Sequence, residues 1–284
     1  MPCLLDADCR PIVISSHRRS GTHLTIDLIR RQFRECVSWK WPLQPNTALY
    51  WNLDLLLDDP GFRRRAVRGT RRPIIKTHLP IGDLLDGRMA GFDAIAAELG
   101  RWLGTGGTIL HVVRDGRDVM ASFHRYRKGF DPAARCSIGQ FIRQDDDGLS
   151  RAARWARCVR GALDDPRVEC VRYEDIVRRT DDVLNRLAHL LQLEPAWKLP
   201  RLPGKIRSRW QGRFHRLLRF RPPATTTLGT TEFPLEKWHD AFTPADREFF
   251  LEETGDLLCR FGYEDSDAWA RRSPEPDRPR GLVA

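Results

Sequence analysis

The chain has 284 residues, 41% of them hydrophobic, so it can bury a substantial core and is not disordered throughout. Its formal net charge of +10 indicates anionic partners, such as nucleic acid, an anionic membrane or a phosphorylated cofactor or substrate. The seven cysteines are scattered without CxxC spacing, which argues against a disulfide framework or a zinc site and favours a reducing cytoplasm.

The N-terminal stretch contains Asp6 and Asp8 and no sustained apolar run, so we expect no signal peptide. No part of the sequence approaches the roughly 20 consecutive apolar residues that span a bilayer. We therefore expect a cytoplasmic protein without a membrane span.

Residues 11–33 predict a strand, a polar loop and a helix in succession. The apolar run Ile12–Ile14 predicts a buried strand. Apolar residues then recur at helical spacing, and these are Leu24, Leu28, Ile29 and Phe33. Such a loop brings backbone N–H groups and the positive end of a helix to one point, which favours an anion.

The composition of this loop suits a phosphate or sulfate group. Ser20, Gly21 and Thr22 allow a close backbone approach and offer two hydroxyl groups. Arg18 and Arg19 add fixed positive charge, and His23 can add more. The alternative is an ordinary strand-to-helix connection whose arginines are solvated, because short motifs of this kind also occur without a ligand.

Three further short strands are predicted, each followed by polar residues. They are Pro73–Ile75 before Lys76–Pro80, Thr108–Val113 before Arg114–Asp118, and Val168–Val171 before Arg172–Asp175. Helices are predicted over residues 92–103, from the end of the segment Arg114–Asp118 to about residue 126, and over residues 150–163 and 181–191. This alternation predicts βαβ units and an α/β fold with a parallel sheet.

The remaining segments carry weaker signals. Residues 127–150 predict a loop or insertion, and Thr243 and Pro244 predict the N-cap and first residue of a helix. The very basic residues 205–221 predict an amphipathic helix, either a lid over an anionic ligand or a surface for nucleic acid or membrane. We expect a single domain over residues 1–265 and a flexible tail, rich in proline and arginine, over residues 266–284.

Three segments, Arg18–Leu24, Ile74–Pro80 and Arg114–Ser122, resemble in order the motifs of the cytosolic type of PAPS-dependent sulfotransferase. PAPS is 3′-phosphoadenosine 5′-phosphosulfate. The resemblance covers roughly residues 11–262 and implies a P-loop-like sulfotransferase fold, in which helices flank a parallel β-sheet in three layers. It also implies transfer of a sulfuryl group to a hydroxyl or amine of a small-molecule or carbohydrate acceptor, without a metal.

The first segment resembles the family's 5′-phosphosulfate loop. The residues expected to hold that group are Arg18, Arg19, Ser20, Gly21, Thr22 and His23. Arg19 stands where the family has a catalytic lysine, and Leu24 stands where it has a tryptophan that stacks on adenine. Because a guanidinium binds phosphate bidentately but does not readily release a proton, Arg19 is expected to stabilise charge and not to act as an acid.

The other segments resemble the parts of the family that carry the chemistry and the nucleotide. By resemblance, His78 is the general base on the acceptor hydroxyl and Lys76 contacts the sulfuryl group. Arg114 and Ser122 resemble the 3′-phosphate site, in which a forked cation and a hydroxyl bind the anion. Tyr173 resembles the tyrosine that meets the adenine.

The family's C-terminal signature is only half present. Trp238–Thr243 fits its end, but the arginine and glycines that precede it are missing. Basic residues 213–221 are expected to close over the 3′-phosphate instead. Arg117 and Asp118 are expected to form a structural ion pair. The family's dimer segment is not recognisable, so the sequence leaves the oligomeric state open.

Three other functions stay open at this point. A P-loop nucleotide kinase has a similar architecture, although the loop lacks the GxxxxGK[ST] pattern that holds ATP and Mg²⁺. A nucleic-acid-binding protein is suggested by the charge of +10 and by the basic residues 205–221, but is the less favoured interpretation. A catalytically inactive relative is suggested by Arg19.

Overall fold

The computed structural model describes residues 9–36, 50–53, 72–196 and 235–271. The chain divides into two compact units, one of residues 1–114 and 158–233 and one of residues 115–157 and 234–284. The predicted single domain over residues 1–265 stays a prediction. The basic segment 205–221 and its expected closure over a phosphate lie outside the described residues.

The first unit contains a five-stranded sheet in which every pair of neighbouring strands is parallel. The strands are β1 (Ile12–Ser15), β2 (Trp51–Asn52), β3 (Ile74–Thr77), β4 (Thr108–Val113) and β5 (Val168–Arg172). Their order across the sheet is β2-β3-β1-β4-β5, so β1 lies at the centre. The predicted α/β class and the four predicted strands are confirmed, and β2 is an additional edge strand.

Ten helices occur in the described part of the chain. They are α1 (Thr22–Gln32), α2 (Ile81–Leu85), α3 (Asp93–Gly104), α4 (Gly116–Lys128), α5 (Ile138–Arg143), α6 (Arg151–Leu163), α7 (Tyr173–Arg178), α8 (Thr180–Leu191), α9 (Pro244–Thr254) and α10 (Leu257–Arg260). Short 3-10 turns cover Arg34–Cys36, Pro132–Ala134 and Asp267–Ala270. The predicted helices α3, α6 and α8 are confirmed to within one residue at each end, and the helix predicted after Asp118 is confirmed as α4, which begins earlier, at Gly116.

Both faces of the sheet are buried. Val13, Ile75 and Ile109 belong to one apolar cluster with Trp51 and with residues of α2 and α3. Their strand neighbours, including Ile12 and Ile14, are also buried. Because successive side chains of a strand point to opposite faces, burial of both sets means that the sheet is covered on both sides. This is the predicted three-layer arrangement, and it brings the carboxyl ends of the strands to one edge.

The second unit is organised around the buried side chain of Arg117. Its guanidinium lies 3.8 Å from the ring centroid of Trp238 and 4.5 Å from that of Trp269. It also pairs with Asp115 at 2.6 Å and with Glu264. A buried guanidinium needs such paired and hydrogen-bonded surroundings, because an isolated buried charge is strongly unfavourable.

The predicted pair of Arg117 with Asp118 is wrong. Adjacent residues of a helix do not face each other, so their side chains diverge. The carboxylate of Asp118 instead accepts hydrogen bonds from the backbone N–H groups of Glu236 and Trp238, at 2.9 and 3.1 Å. Asp118 thus anchors the loop before α9, whereas Asp115 is the partner of Arg117.

Two further predictions for the second unit need correction. Residues 127–150 are not all loop, because α5 lies among them and begins with a capping box formed by Ser137 and Gln140. The predicted tail starts too early, because Trp269 is only 2% exposed and packs against Trp238 at a centroid distance of 5.8 Å. The predicted helix start at Thr243 is confirmed, again with a capping box.

Within the described ranges, no helix is long and apolar enough to cross a bilayer. Nor do those ranges contain a group of three or more histidine, cysteine, aspartate or glutamate side chains that could hold a metal ion.

Candidate functional site

The loop between β1 and α1 presents an uncapped helix start at the carboxyl edge of the sheet. Gly21 is the N-cap residue, with φ 101°, and because it has no side chain, it offers no side-chain group to accept a hydrogen bond from the first N–H groups of the helix. The first intrahelical backbone bond runs from Thr25 N–H to the carbonyl of Gly21. The N–H groups at the first turn of a helix lack intrahelical partners and lie at its positive end, so they can bind an anion.

Ser20 provides a second sign that the loop is built for a ligand. This residue is 1% exposed, and its hydroxyl has no hydrogen-bond partner within the described part of the chain. An unsatisfied buried hydroxyl costs roughly 1–3 kcal/mol. A phosphate oxygen at the start of α1 would satisfy it, so the loop fits the 5′-phosphate group that the sequence predicts for it.

Arg114 and Tyr173 lie beside this loop. The ring of Tyr173 is packed against Gly21 so closely that a Cβ atom on Gly21 would overlap ring carbon Cδ2. The guanidinium of Arg114 lies 4.5 Å from the centroid of the same ring, which is the geometry of a cation–π contact. The ends of β4 and β5 thus meet the loop, as the order of the strands requires. Ser122 lies on α4 in the second unit, and its predicted pairing with Arg114 stays a prediction.

The stack of Gly21, Tyr173 and Arg114 leads to a testable expectation. Tyr173→Ala should weaken the binding of adenosine 3′,5′-bisphosphate by about tenfold, since a cation–π contact is worth up to about 2 kcal/mol. Tyr173→Phe keeps the ring and should change the affinity by less than about threefold, an estimate on the same scale. Isothermal titration calorimetry measures both. If Tyr173→Ala bound adenosine 3′,5′-bisphosphate as tightly as wild type does, Tyr173 would have no part in the binding site.

His78 follows β3 and is tied to the loop through Ser16. Its Nδ1 lies 2.8 Å from the backbone carbonyl oxygen of Ser16, and because a carbonyl only accepts, Nδ1 carries the proton. The lone pair of the neutral ring is therefore on Nε2. The hydroxyl of Ser16 lies 2.6 Å from the hydroxyl of Thr22, at the start of α1. The predicted base and the predicted anion loop are therefore joined by a single residue.

The surroundings of His78 keep its imidazole neutral. Burial, followed by the positive charge of Lys76, lowers the pKa of His78 to about 3, although the hydrogen bond to the Ser16 carbonyl opposes this change. A neutral imidazole can accept a proton from an alcohol. Its affinity for that proton is weak, however, because burial and then the nearby positive charges disfavour the imidazolium.

The side chains of Lys76 and His23 both lie beside that of Tyr50. The Nε2 atom of His23 is hydrogen-bonded to the hydroxyl of Tyr50 at 3.0 Å, and the ammonium of Lys76 lies 5.5 Å from the centroid of the Tyr50 ring. Burial, followed by the charges of Lys76 and Arg19, lowers the pKa of His23 to about 3. His23 is therefore a neutral polar group at pH 7 and not the additional cation that its place in the sequence suggests.

The structure brings most of the predicted residues together in the first unit and adds two to them. Arg18 and Arg19 are exposed, and Arg19 has a left-handed backbone with φ 73°. The two added residues are Ser16 and Tyr50. Ser16 had a weak signal as a second hydroxyl residue directly after a strand. Tyr50 has no such signal in the sequence, because the strand that follows it, β2, has only two residues and shows no periodic pattern.

Comparison with solved structures finds the same architecture in other proteins, including the following two. One is the mouse sulfotransferase SULT7A1 complexed with PAP, with a TM-score of 0.55 and 16% identity over 89% of this chain and 88% of that one. The other is retinol dehydratase in complex with androsterone and the inactive cofactor PAP, with a TM-score of 0.50 and 16% identity over 87% of this chain and 80% of that one. No family model and no curated protein matches the sequence. The predicted sulfotransferase fold is thereby confirmed.

Proposed function

We propose that this chain is a PAPS-dependent sulfotransferase that moves a sulfuryl group to a hydroxyl or amine of a small-molecule or carbohydrate acceptor. One observation carries the proposal. The carbonyl of Ser16 holds the imidazole of His78, while the hydroxyl of Ser16 contacts Thr22 at the start of α1. One buried residue, Ser16, therefore contacts both the proton acceptor and the loop that we propose binds the anion. The sulfotransferase fold supports the same function.

The donor fits the loop by its chemistry. Ser20, Gly21 and Thr22, with Arg18, Arg19 and His23 around them, are assigned to the 5′-phosphate, for which the unpaired hydroxyl of Ser20 is the main support. Arg114 and Ser122 are assigned to the 3′-phosphate, and Tyr173 to the adenine. Both solved structures contain PAP, named in one as an inactive cofactor, which supports PAPS as the donor here.

Each catalytic residue has a separate task in this proposal. When bound, PAPS supplies the sulfuryl group, and adenosine 3′,5′-bisphosphate is the product that leaves. His78 accepts the acceptor's proton on Nε2, because Nδ1 already carries a hydrogen. Lys76 and Arg19 stabilise the negative charge that develops on the transferred group and on the 5′-phosphate. The task of Arg19 is electrostatic only, since a guanidinium stays protonated.

Ligand-dependent melting of the whole chain tests this function. A ligand that binds only the folded state raises the melting temperature, so adenosine 3′,5′-bisphosphate should raise it by several degrees and ATP with Mg²⁺ should not. A labelled sulfuryl group from PAPS should then appear on at least one member of a panel of phenols, alcohols, amines and sugars.

The alternative functions give different results in the same experiments. Stabilisation by ATP with Mg²⁺ alone would indicate a nucleotide kinase. No response to either nucleotide, together with strongly salt-dependent binding of DNA or RNA, would indicate a nucleic-acid-binding protein. Binding of adenosine 3′,5′-bisphosphate without transfer to any acceptor would indicate an inactive relative.

A further inference from the structure

Ser16 uses all of its polar groups within the site. Its N–H donates to the carbonyl of Thr77 at the end of β3, at 3.3 Å, and its own carbonyl accepts from Nδ1 of His78. Its hydroxyl lies 2.6 Å from the hydroxyl of Thr22 and 3.4 Å from the same Nδ1 atom. The residue is 0% exposed, so its hydroxyl can hydrogen-bond to these protein groups but not to bulk solvent.

We infer that the hydroxyls of Thr22 and Ser16 form a hydrogen-bond relay through which an anion bound at the start of α1 strengthens His78 as a base. This inference deepens the proposed function and rests on it, since His78 is the base only there. Ser16 is a positioning residue in this scheme, because it acts on the acceptor's proton only through His78.

The relay follows from which groups can donate. Without a ligand, either hydroxyl can be the donor in the bond between Ser16 and Thr22. An anion accepts only, so Thr22 O–H donates to it and must then accept from Ser16 O–H. The remaining lone pairs of the Ser16 oxygen then face the Nδ1–H of His78. No proton travels along the relay and no covalent bond changes in it, but all of its donors point towards the anion.

The relay is expected to raise the proton affinity of Nε2 of His78. Aligned hydrogen bonds polarise one another, so a relay that ends on an anion stabilises the imidazolium that forms when Nε2 takes a proton. The 3.4 Å contact to Nδ1 is long, as catalytic hydrogen bonds often are before the ligand is bound. The charged and titratable groups that face His78 are Lys76 on β3 and His17 and Arg18 on the loop. These groups disfavour the imidazolium form of His78, so that form needs the stabilisation that the hydrogen-bond relay supplies.

The test measures the proton affinity of His78 by nuclear magnetic resonance of ¹⁵N-labelled histidine in the full chain, with His78→Asn used to assign the signal. In the complex with adenosine 3′,5′-bisphosphate, Ser16→Ala should bind a proton on His78 about tenfold more weakly than wild type, that is, with a lower pKa. Ser16→Thr keeps the hydroxyl and should restore most of the affinity. Ser15→Ala is the matched control, because the hydroxyl of Ser15 is also buried but is bonded to His111 at 3.2 Å.

Every outcome of this test decides something. An unchanged proton affinity in Ser16→Ala, or an equal loss in Ser15→Ala, overturns the relay. The series is repeated with inorganic phosphate as the probe. If phosphate shows the Ser16 effect and the bisphosphate does not bind, the relay stands and the proposed function fails. If neither anion raises the proton affinity of His78, the relay is wrong even where transfer activity is found.

Discussion

His78→Asn is expected to lower the rate of sulfuryl transfer by about 10²–10⁴-fold, the usual contribution of a positioned general base. Asparagine can keep the anchor, because its amide N–H can donate to the carbonyl of Ser16 as Nδ1 of His78 does. It has no counterpart of Nε2, the atom that would take the acceptor's proton. The variant therefore removes the base while it preserves the surroundings of the loop.

The measurement combines single-turnover transfer from labelled PAPS with calorimetry of adenosine 3′,5′-bisphosphate. His78→Asn should lose the transfer rate and keep its affinity for the bisphosphate within about threefold, since the loss concerns the reaction step and not donor binding. His189→Asn is the matched control, because His189 is an exposed histidine on α8. A transfer rate in His78→Asn close to that of wild type would contradict the assignment of the base.

The fold and the anion loop could be predicted because their signals are local in sequence. A short apolar run, a glycine among hydroxyl residues and apolar residues at helical spacing indicated β1, the loop and α1 within 23 residues, 11–33. Arg114 and Tyr173 follow separate strands, and they meet because β1, β4 and β5 are neighbours in a parallel sheet. Strand ends of such a sheet share one edge, which is where ligands bind.

The rest depends on contacts between distant residues or on burial. The bond between His78 and Ser16 joins residues that are 62 positions apart, and nothing in either segment specifies it. His23 looks like a cation in the sequence but is neutral once it is buried beside Lys76. Arg117 has an acidic residue on either side within two positions, and only the direction of the helix decides that Asp115 is the partner.

Gly21→Ala is expected to abolish measurable binding of adenosine 3′,5′-bisphosphate and to lower the free energy of unfolding by about 2–5 kcal/mol. Two effects add. Gly21 has φ 101°, a conformation that costs an L-residue about 1–2 kcal/mol. A Cβ atom there would also overlap the ring of Tyr173, so either the loop or the ring must move. Overpacking of this kind costs roughly 1–3 kcal/mol more.

Gly91→Ala separates these two effects. Gly91 also has a positive φ, of 82°, but an added Cβ atom would find no other heavy atom within 4 Å. This variant should lose only the conformational part, about 1–2 kcal/mol, and should bind the bisphosphate as wild type does. Chemical denaturation gives the stabilities, and calorimetry gives the affinities. If Gly21→Ala bound the bisphosphate as tightly as Gly91→Ala, the contact between the loop and Tyr173 would have no part in the site. Such a result would mean that the ring of Tyr173 can move aside while the start of α1 keeps its geometry.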